Sequence, residues 1–264
     1  MKLLVGVALV ALATPAAAQW AKVAERSVPN TTDGPNLSAK APRAADGKTD
    51  LSGVWLVDTD PNGKREGLEQ LVFPKHFVNI AADVDFDKVP LRPEAAALFQ
   101  QRLASDGKAS PDAYCKPNGV FELISGPLPF KIVQTPQLIL MLFEGDTVFR
   151  QIFLDGRRPI EDPEPRYMGY SSGRWDGDTL VVDTVGFKDQ MWLDAMGHPG
   201  SSKLHMTERV RRRDAGHLAI EVTIDDPVSY TKPLTYTPTF TLQPGEDLLE
   251  YFCAENEKDA QHYE

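Results

Sequence analysis

The sequence predicts an all-β fold: an antiparallel meander of short strands that closes into a barrel and carries one short helix. Three observations support this. From residue 130 onward, apolar and polar residues alternate in short runs separated by turn residues. Asp176-Gly177 stands between two such runs, residues 170–175 and 178–183, and an Asp-Gly pair in that position signals a hairpin. Glycine there takes the positive φ that a primed turn needs. Only residues 92–104 have clear helix composition, with Pro93 suited to a first helical position and Ala-Ala-Ala-Leu-Phe-Gln-Gln behind it.

In chain order, residues 1–18 read as a secretory signal peptide. Lys2 is the basic region, residues 3–13 the apolar region and Ala16-Ala17-Ala18 the cleavage site. The apolar run is too short to span a bilayer. Residues 19–50 are rich in Pro, Ala, Asn, Thr and Lys without apolar periodicity, and are expected to form a flexible leader. Residues 51–264 then form a single barrel domain. Its first strand is residues 51–57, followed by a turn at Asp60-Pro-Asn-Gly63. Residues 68–80 fit either a strand or a turn of helix. Gly107 ends the helix, and residues 112–126 read as an irregular loop. Strands follow at 130–133, 138–143, 147–154, 170–175, 178–183, 204–213, 217–225, 234–242 and 248–253. With the first strand this makes about nine or ten, enough to close a barrel.

The net charge of −10 argues against a nucleic-acid partner, whose phosphates need Lys and Arg. The basic run 209–213 is the exception, and it reads as a solvated strand face. Export to the periplasm or beyond places Cys115 and Cys253 in an oxidising compartment. There a lone pair forms a disulfide, worth about 4–5 kcal/mol in the chain-entropy model. The alternative reading is a nucleophilic thiol.

Several segments carry a resemblance. Gly53-x-Trp55 at the first ordered strand resembles the lipocalin opening, in which tryptophan closes one end of the barrel. Longer stretches add to it: Arg150-Gln-Ile-Phe-Leu-Asp-Gly-Arg157, Met168-Gly-Tyr-Ser-Ser-Gly-Arg-Trp-Asp-Gly-Asp-Thr-Leu-Val-Val-Asp-Thr-Val-Gly-Phe187, Thr207-Glu-Arg209, Ile224-Asp-Asp-Pro227 and Cys253-Ala-Glu-Asn-Glu257. Together they resemble a family of exported bacterial β-rich proteins, abundant in soil bacteria, over residues 51–257. Many of its members have a His-Ser pair after the Gly-His-Pro segment, where this chain has Gly200-Ser201. The resemblance implies the barrel and export. It implies no reaction.

Strand alternation assigns polar side chains to faces. On 204–212, Glu208 shares a face with Leu204, Met206, Val210 and Arg212. His205, Thr207, Arg209 and Arg211 take the other, where Arg209 or Arg211 is expected to pair with Glu221. Arg150 falls with Val148, Ile152 and Leu154, and Asp183 with Val181 and Val185. Arg150, Asp183 and Glu208 are therefore expected inside the barrel, where unpaired charge is costly. Two readings stand. One is a structural ion pair or triad. The other is the polar floor of an apolar pocket, with Arg150 holding an anionic or oxygen-rich part of a ligand and Glu208 or Asp183 acting as base. Tyr170, Arg174 and His198 are the further binding candidates, and His205 the further catalytic one.

His205 lies three residues from Glu208, so the two point to opposite faces unless a bulge intervenes. His198, in Gly197-His-Pro-Gly200, is placed to reach over the barrel mouth toward Asp189 or Asp194. His198, His205 and Asp194 match no zinc spacing, and no metal or cofactor is expected. Gly169-Tyr-Ser-Ser-Gly173 has the letters of a nucleophile elbow but leads into a hairpin rather than a helix. No phosphate loop or dinucleotide fingerprint is present. The sequence thus points to an exported barrel that binds or processes a small organic molecule by cofactor-independent acid–base chemistry. A lyase, isomerase or hydrolase acting on a small glycoside or aromatic metabolite fits. A non-catalytic carrier and an envelope interaction protein are the alternatives. The mature form is expected to have no integral membrane segment.

Overall fold

Burial alternates along the strands as a pleated backbone requires. In strand 205–212, Met206, Glu208, Val210 and Arg212 are buried while Arg209 and Arg211 are exposed. The computed structural model describes residues 28–59, 73–158 and 161–253. Its strands of three or more residues are β1 (Gly53–Val57), β2 (Phe130–Gln134), β3 (Leu138–Phe143), β4 (Phe149–Phe153) and β5 (Tyr170–Asp176). They continue with β6 (Thr179–Val185), β7 (His205–Arg212), β8 (His217–Asp225), β9 (Leu234–Tyr236) and β10 (Thr239–Leu242). Nine of them close a ring, in the order β7-β6-β5-β4-β3-β2-β1-β10-β8 and back to β7. β9 precedes β10 along the same edge of β8, opposite residues 222–224 where β10 lies opposite 217–219.

The all-β barrel is as expected, but it is not antiparallel throughout. β4 and β5 run parallel, with Ile152 opposite Ser171 and Phe153 opposite Ser172. Parity requires this. Strands that alternate in direction close into a ring only if their number is even, so nine strands need one parallel neighbour pair. The connection from Leu154 to Gly169 returns the chain to the end it left.

The two ends of the barrel differ. One carries tight turns, among them Gly177-Asp178, one residue further along than the sequence suggested. Gly177 takes φ 59° there. Residues 28–50, expected to form a flexible leader, are laid against this end. The carbonyl of Leu37 accepts the Gly216 N–H at 2.7 Å, Arg43 pairs with Asp178, and Leu51 N–H donates to Gln134 Oε1 at 2.9 Å. Trp55 is fully buried here, its indole donating to the Leu51 carbonyl at 3.0 Å beneath the Arg212 guanidinium.

Helices and a long loop gather at the other end. α1 (Lys75–Val78) follows β1, α2 (Pro93–Ala104) is the expected helix, and α3 (Val120–Ser125) runs directly into β2. Every residue of α3 is buried, and Phe121 meets Phe187 at 5.4 Å between ring centroids. The expectations of a single helix, and of a loop over 112–126, are thereby corrected. Six residues are too few for a 3.6-residue period to register.

The expected strand at 248–253 is not one. Leu249 N–H donates to Glu144 Oε2 at 2.9 Å, and a disulfide joins Cys253 to Cys115. No helix among the described residues is long and apolar enough to cross a membrane. The signal-peptide reading, the turn at 60–63 and residues 68–72 of the ambiguous segment lie outside the described residues.

Candidate functional site

Alternation places Arg150 and Glu208 inside the barrel, and they meet there. The Arg150 guanidinium donates to Glu208 Oε1 at 2.9 Å and also to Oε2, to Thr184 Oγ1 at 2.8 Å and to Ser171 Oγ at 3.0 Å. Its remaining polarity is turned to Met141 Sδ at 3.8 Å. Burying two charges is tolerable when the geometry is bidentate and every donor is used. Here the protein supplies all the partners, so the pair is complete without a ligand. Among the five principal clefts of the described residues, Arg150, Ser171 and Tyr170 line one of about 250 Å³, whereas Glu208 lines none.

Asp183 does not join them. Val182 lies opposite Glu208 and Asp183 opposite Thr207, so Leu180, Val182 and Thr184 face inward and Asp183 outward. The expected inward triad is corrected to a pair. The misreading came from Val181, which is buried although it faces outward. It is flanked in register by Arg174 and Arg209, arginines whose apolar stems are long enough to shield it. On this outer face Arg174 donates to Asp183 Oδ2 at 2.8 Å, and His205 Nε2 lies 3.2 Å from Asp183 Oδ1. Tyr170 is also on the outside, beneath the Arg166 guanidinium. Arg209 pairs with Asp176 at 3.3 Å rather than with Glu221.

His198 meets Asp194, as its position suggested, but in a sealed place. Nδ1 lies 2.5 Å from Asp194 Oδ2, the ring stacks on Phe99 with 4.1 Å between centroids, and both residues have no exposed surface. Asp194 also accepts from the backbone N–H groups of Ile80, Gly197 and His198. It therefore pins the long loop to the segment after α1. His198 Nε2 has no partner, and His198 lines none of the five clefts. Among the described residues no three His, Cys, Asp or Glu side chains come together as a metal-ligating set.

One site with open access lies at the helical end. A cleft of about 440 Å³ runs between α2, the segment leading into α3 and the loop after β6. Arg102, on the α2 face it shares with Ala95 and Phe99, is buried in its wall. Its guanidinium donates to the carbonyls of Met191, Gly197 and Gln190 at 3.0, 3.1 and 2.7 Å. Burial lowers its pKa to about 10, which leaves it cationic at neutral pH. Gln190 holds a left-handed φ of 54°, unusual away from glycine, while lining the cleft.

Glu122 forms part of the same wall. It is only 3 % exposed, and its Oε2 has no hydrogen-bond partner. Burial pushes its carboxyl well above the ordinary glutamate range, and the charges of Asp112, Asp194 and Asp146 push the same way against Arg102. Glu122 also lines a second cleft of about 280 Å³ with Asp112, Asn118 and Asp146. There Asn118 donates its N–H to Asp146 Oδ2 and its amide to Asp112 Oδ1, both at 2.7 Å. A neutral carboxyl at the wall of a cleft can donate a hydrogen bond to a ligand or exchange a proton with it. The signal was present in the sequence: Glu122 is the lone charge in Val-Phe-Glu-Leu-Ile. It goes unnoticed when that stretch is read as a loop.

No family model, curated protein or solved structure matches the chain. What the site can do therefore rests on its own geometry.

Proposed function

We propose that the protein is an extracytoplasmic barrel that binds a small organic molecule in the 440 Å³ cleft and acts on it by cofactor-independent acid–base chemistry through Glu122. The observation that carries this reading is the buried, unpartnered Glu122 Oε2 in the wall of that cleft. Such an atom costs free energy in the unliganded protein, and a ligand acceptor positioned against it recovers that cost. Burial raises the carboxyl pKa, the direction that favours a proton donor. The interior pair Arg150–Glu208 holds the barrel together and contributes no open group to the reaction. Periplasmic or secreted location is supported by the disulfide, which persists in oxidising compartments, and by the composition of residues 1–18. The lipocalin-like reading is supported by the closed ring and by the buried Trp55 at its turn-bearing end.

A thermal-shift screen of the purified chain against pooled metabolites tests the proposal, because a ligand that binds only the native state raises the melting temperature. We expect at least one small molecule to raise Tm for the native sequence and not for Ala109→Trp, which fills the cleft from an exposed position. For a ligand that is turned over, Glu122→Gln keeps binding and loses turnover. A ligand that stabilises the Trp variant equally sits elsewhere, and the proposal fails.

A further inference from the structure

Each of the three large aromatic side chains of the cleft carries a cation. Lys116 lies over Tyr114 at 5.6 Å, Lys188 over Tyr167 at 4.9 Å and Arg102 over Trp192 at 5.0 Å. A ring used this way is occupied by a cation on one face and places positive charge beside it. Arg102 is committed to three backbone carbonyls. Lys116 and Lys188 both line the cleft and are exposed, and neither has a carboxylate partner among the described residues. The carboxyl groups lining the cleft are Asp189, which accepts the Ser202 N–H at 3.2 Å, and Glu122. The lining thus carries three cationic side chains, Arg102, Lys116 and Lys188, against two carboxyl groups, in a chain whose formal charge is −10. A cleft of opposite sign to the whole molecule draws anions from solution.

Resting on the reading of this cleft as the ligand site, we propose that its ligand is a small organic acid. The carboxylate meets Lys116 and Lys188, and an acceptor atom further along the molecule takes a hydrogen bond from Glu122 Oε2. A neutral sugar leaves both ammonium groups without a new partner, and an amine is repelled by them. Glu122 suits an anion for the complementary reason, since a neutral carboxyl donates to it without repelling it.

Isothermal titration of the full chain at neutral pH and low salt tests the assignment, with benzoate and succinate as probes. Benzamide and succinamide are their neutral counterparts, and benzylamine is the cationic control. We expect an acid to bind and its amide to bind about tenfold more weakly or worse, a difference worth about 1.4 kcal/mol. Acid binding should weaken as salt is added. Lys116→Gln/Lys188→Gln should weaken the acid by a similar factor while its thermal unfolding stays that of the native chain. Ala109→Trp should abolish acid binding. Amides that bind as tightly as acids, or a double Lys variant with undiminished acid affinity, overturn the organic-acid assignment and leave the cleft as a ligand site. Acid binding that survives Ala109→Trp overturns it too, by placing the acid elsewhere. If acids, amides and amine all fail to bind, the reading of the cleft as a ligand site falls with it.

Discussion

Among single residues, Glu122 and Arg150 show what burial does to charge in two ways. Glu122 has no counter-ion in bonding contact, and its folded pKa lies above its unfolded value. Between the two values the native carboxyl holds a proton that the unfolded chain, with a glutamate pKa of about 4.3, has released. Stability linked to this group is therefore intact below about pH 4 and is lost as pH rises toward the folded pKa. Glu122→Gln should remove that loss, so its melting temperature relative to the native chain should climb as pH rises above about 4; parallel curves would refute the assignment. Arg150 is the opposite case. Arg150→Met strands Glu208 and should cost about 3–5 kcal/mol in denaturant unfolding, and Arg150→Met/Glu208→Leu should recover most of it. Both charges were legible in the sequence because each sits among apolar residues of one parity. Ser171 and Thr184, which complete the pair's hydrogen bonds, were not, since small hydroxyls are at home on either face of a strand. Asp183 was misplaced because residues 180–182 are apolar at both parities, and only the register against β7 decides between them.

At the level of elements, β3 and β8 were read with the bounds the structure gives, whereas the strand expected at 234–242 is broken into β9 and β10. The signal of β3 and β8 is local, a period of two between turn residues. α3 and the tail at 248–253 escaped because their conformation is fixed by what they pack on and bond to, not by a repeat. The same holds for α2, which was legible as a helix but not as the wall of a cleft. Arg102 makes it that wall by holding the loop carbonyls of Gln190, Met191 and Gly197. Arg102→Met keeps the length and apolar stem but leaves those carbonyls without their donor. We expect a loss of about 2–4 kcal/mol in unfolding free energy. Proteolysis or hydrogen exchange should show the loop after β6 opening before the barrel. Unfolding in a single step with unchanged stability would mean that the loop is held by something else.

Across the whole molecule, the Cys115–Cys253 disulfide joins positions 138 residues apart and ties the tail beside the second cleft. Replacing both cysteines by serine should lower stability by about 5 kcal/mol on the chain-entropy account, read from the midpoint of denaturant unfolding. A shift near zero would show that other contacts already hold the tail. The pairing was legible, because two cysteines allow only one bond. The parallel seam was not, since parity constrains the ring only once its membership is known. That ring has a consequence for how the polypeptide can be cut and rejoined. β1 and β10 are hydrogen-bonded neighbours, with Trp55 opposite Leu242, so the first and last strands of the cylinder lie side by side. Splicing them together and opening new termini in the crossover before Tyr170 would leave every ladder in place. Such a circular permutant would begin and end at the parallel seam, and every hydrogen-bonded pair of strands that follow one another in its sequence would run antiparallel.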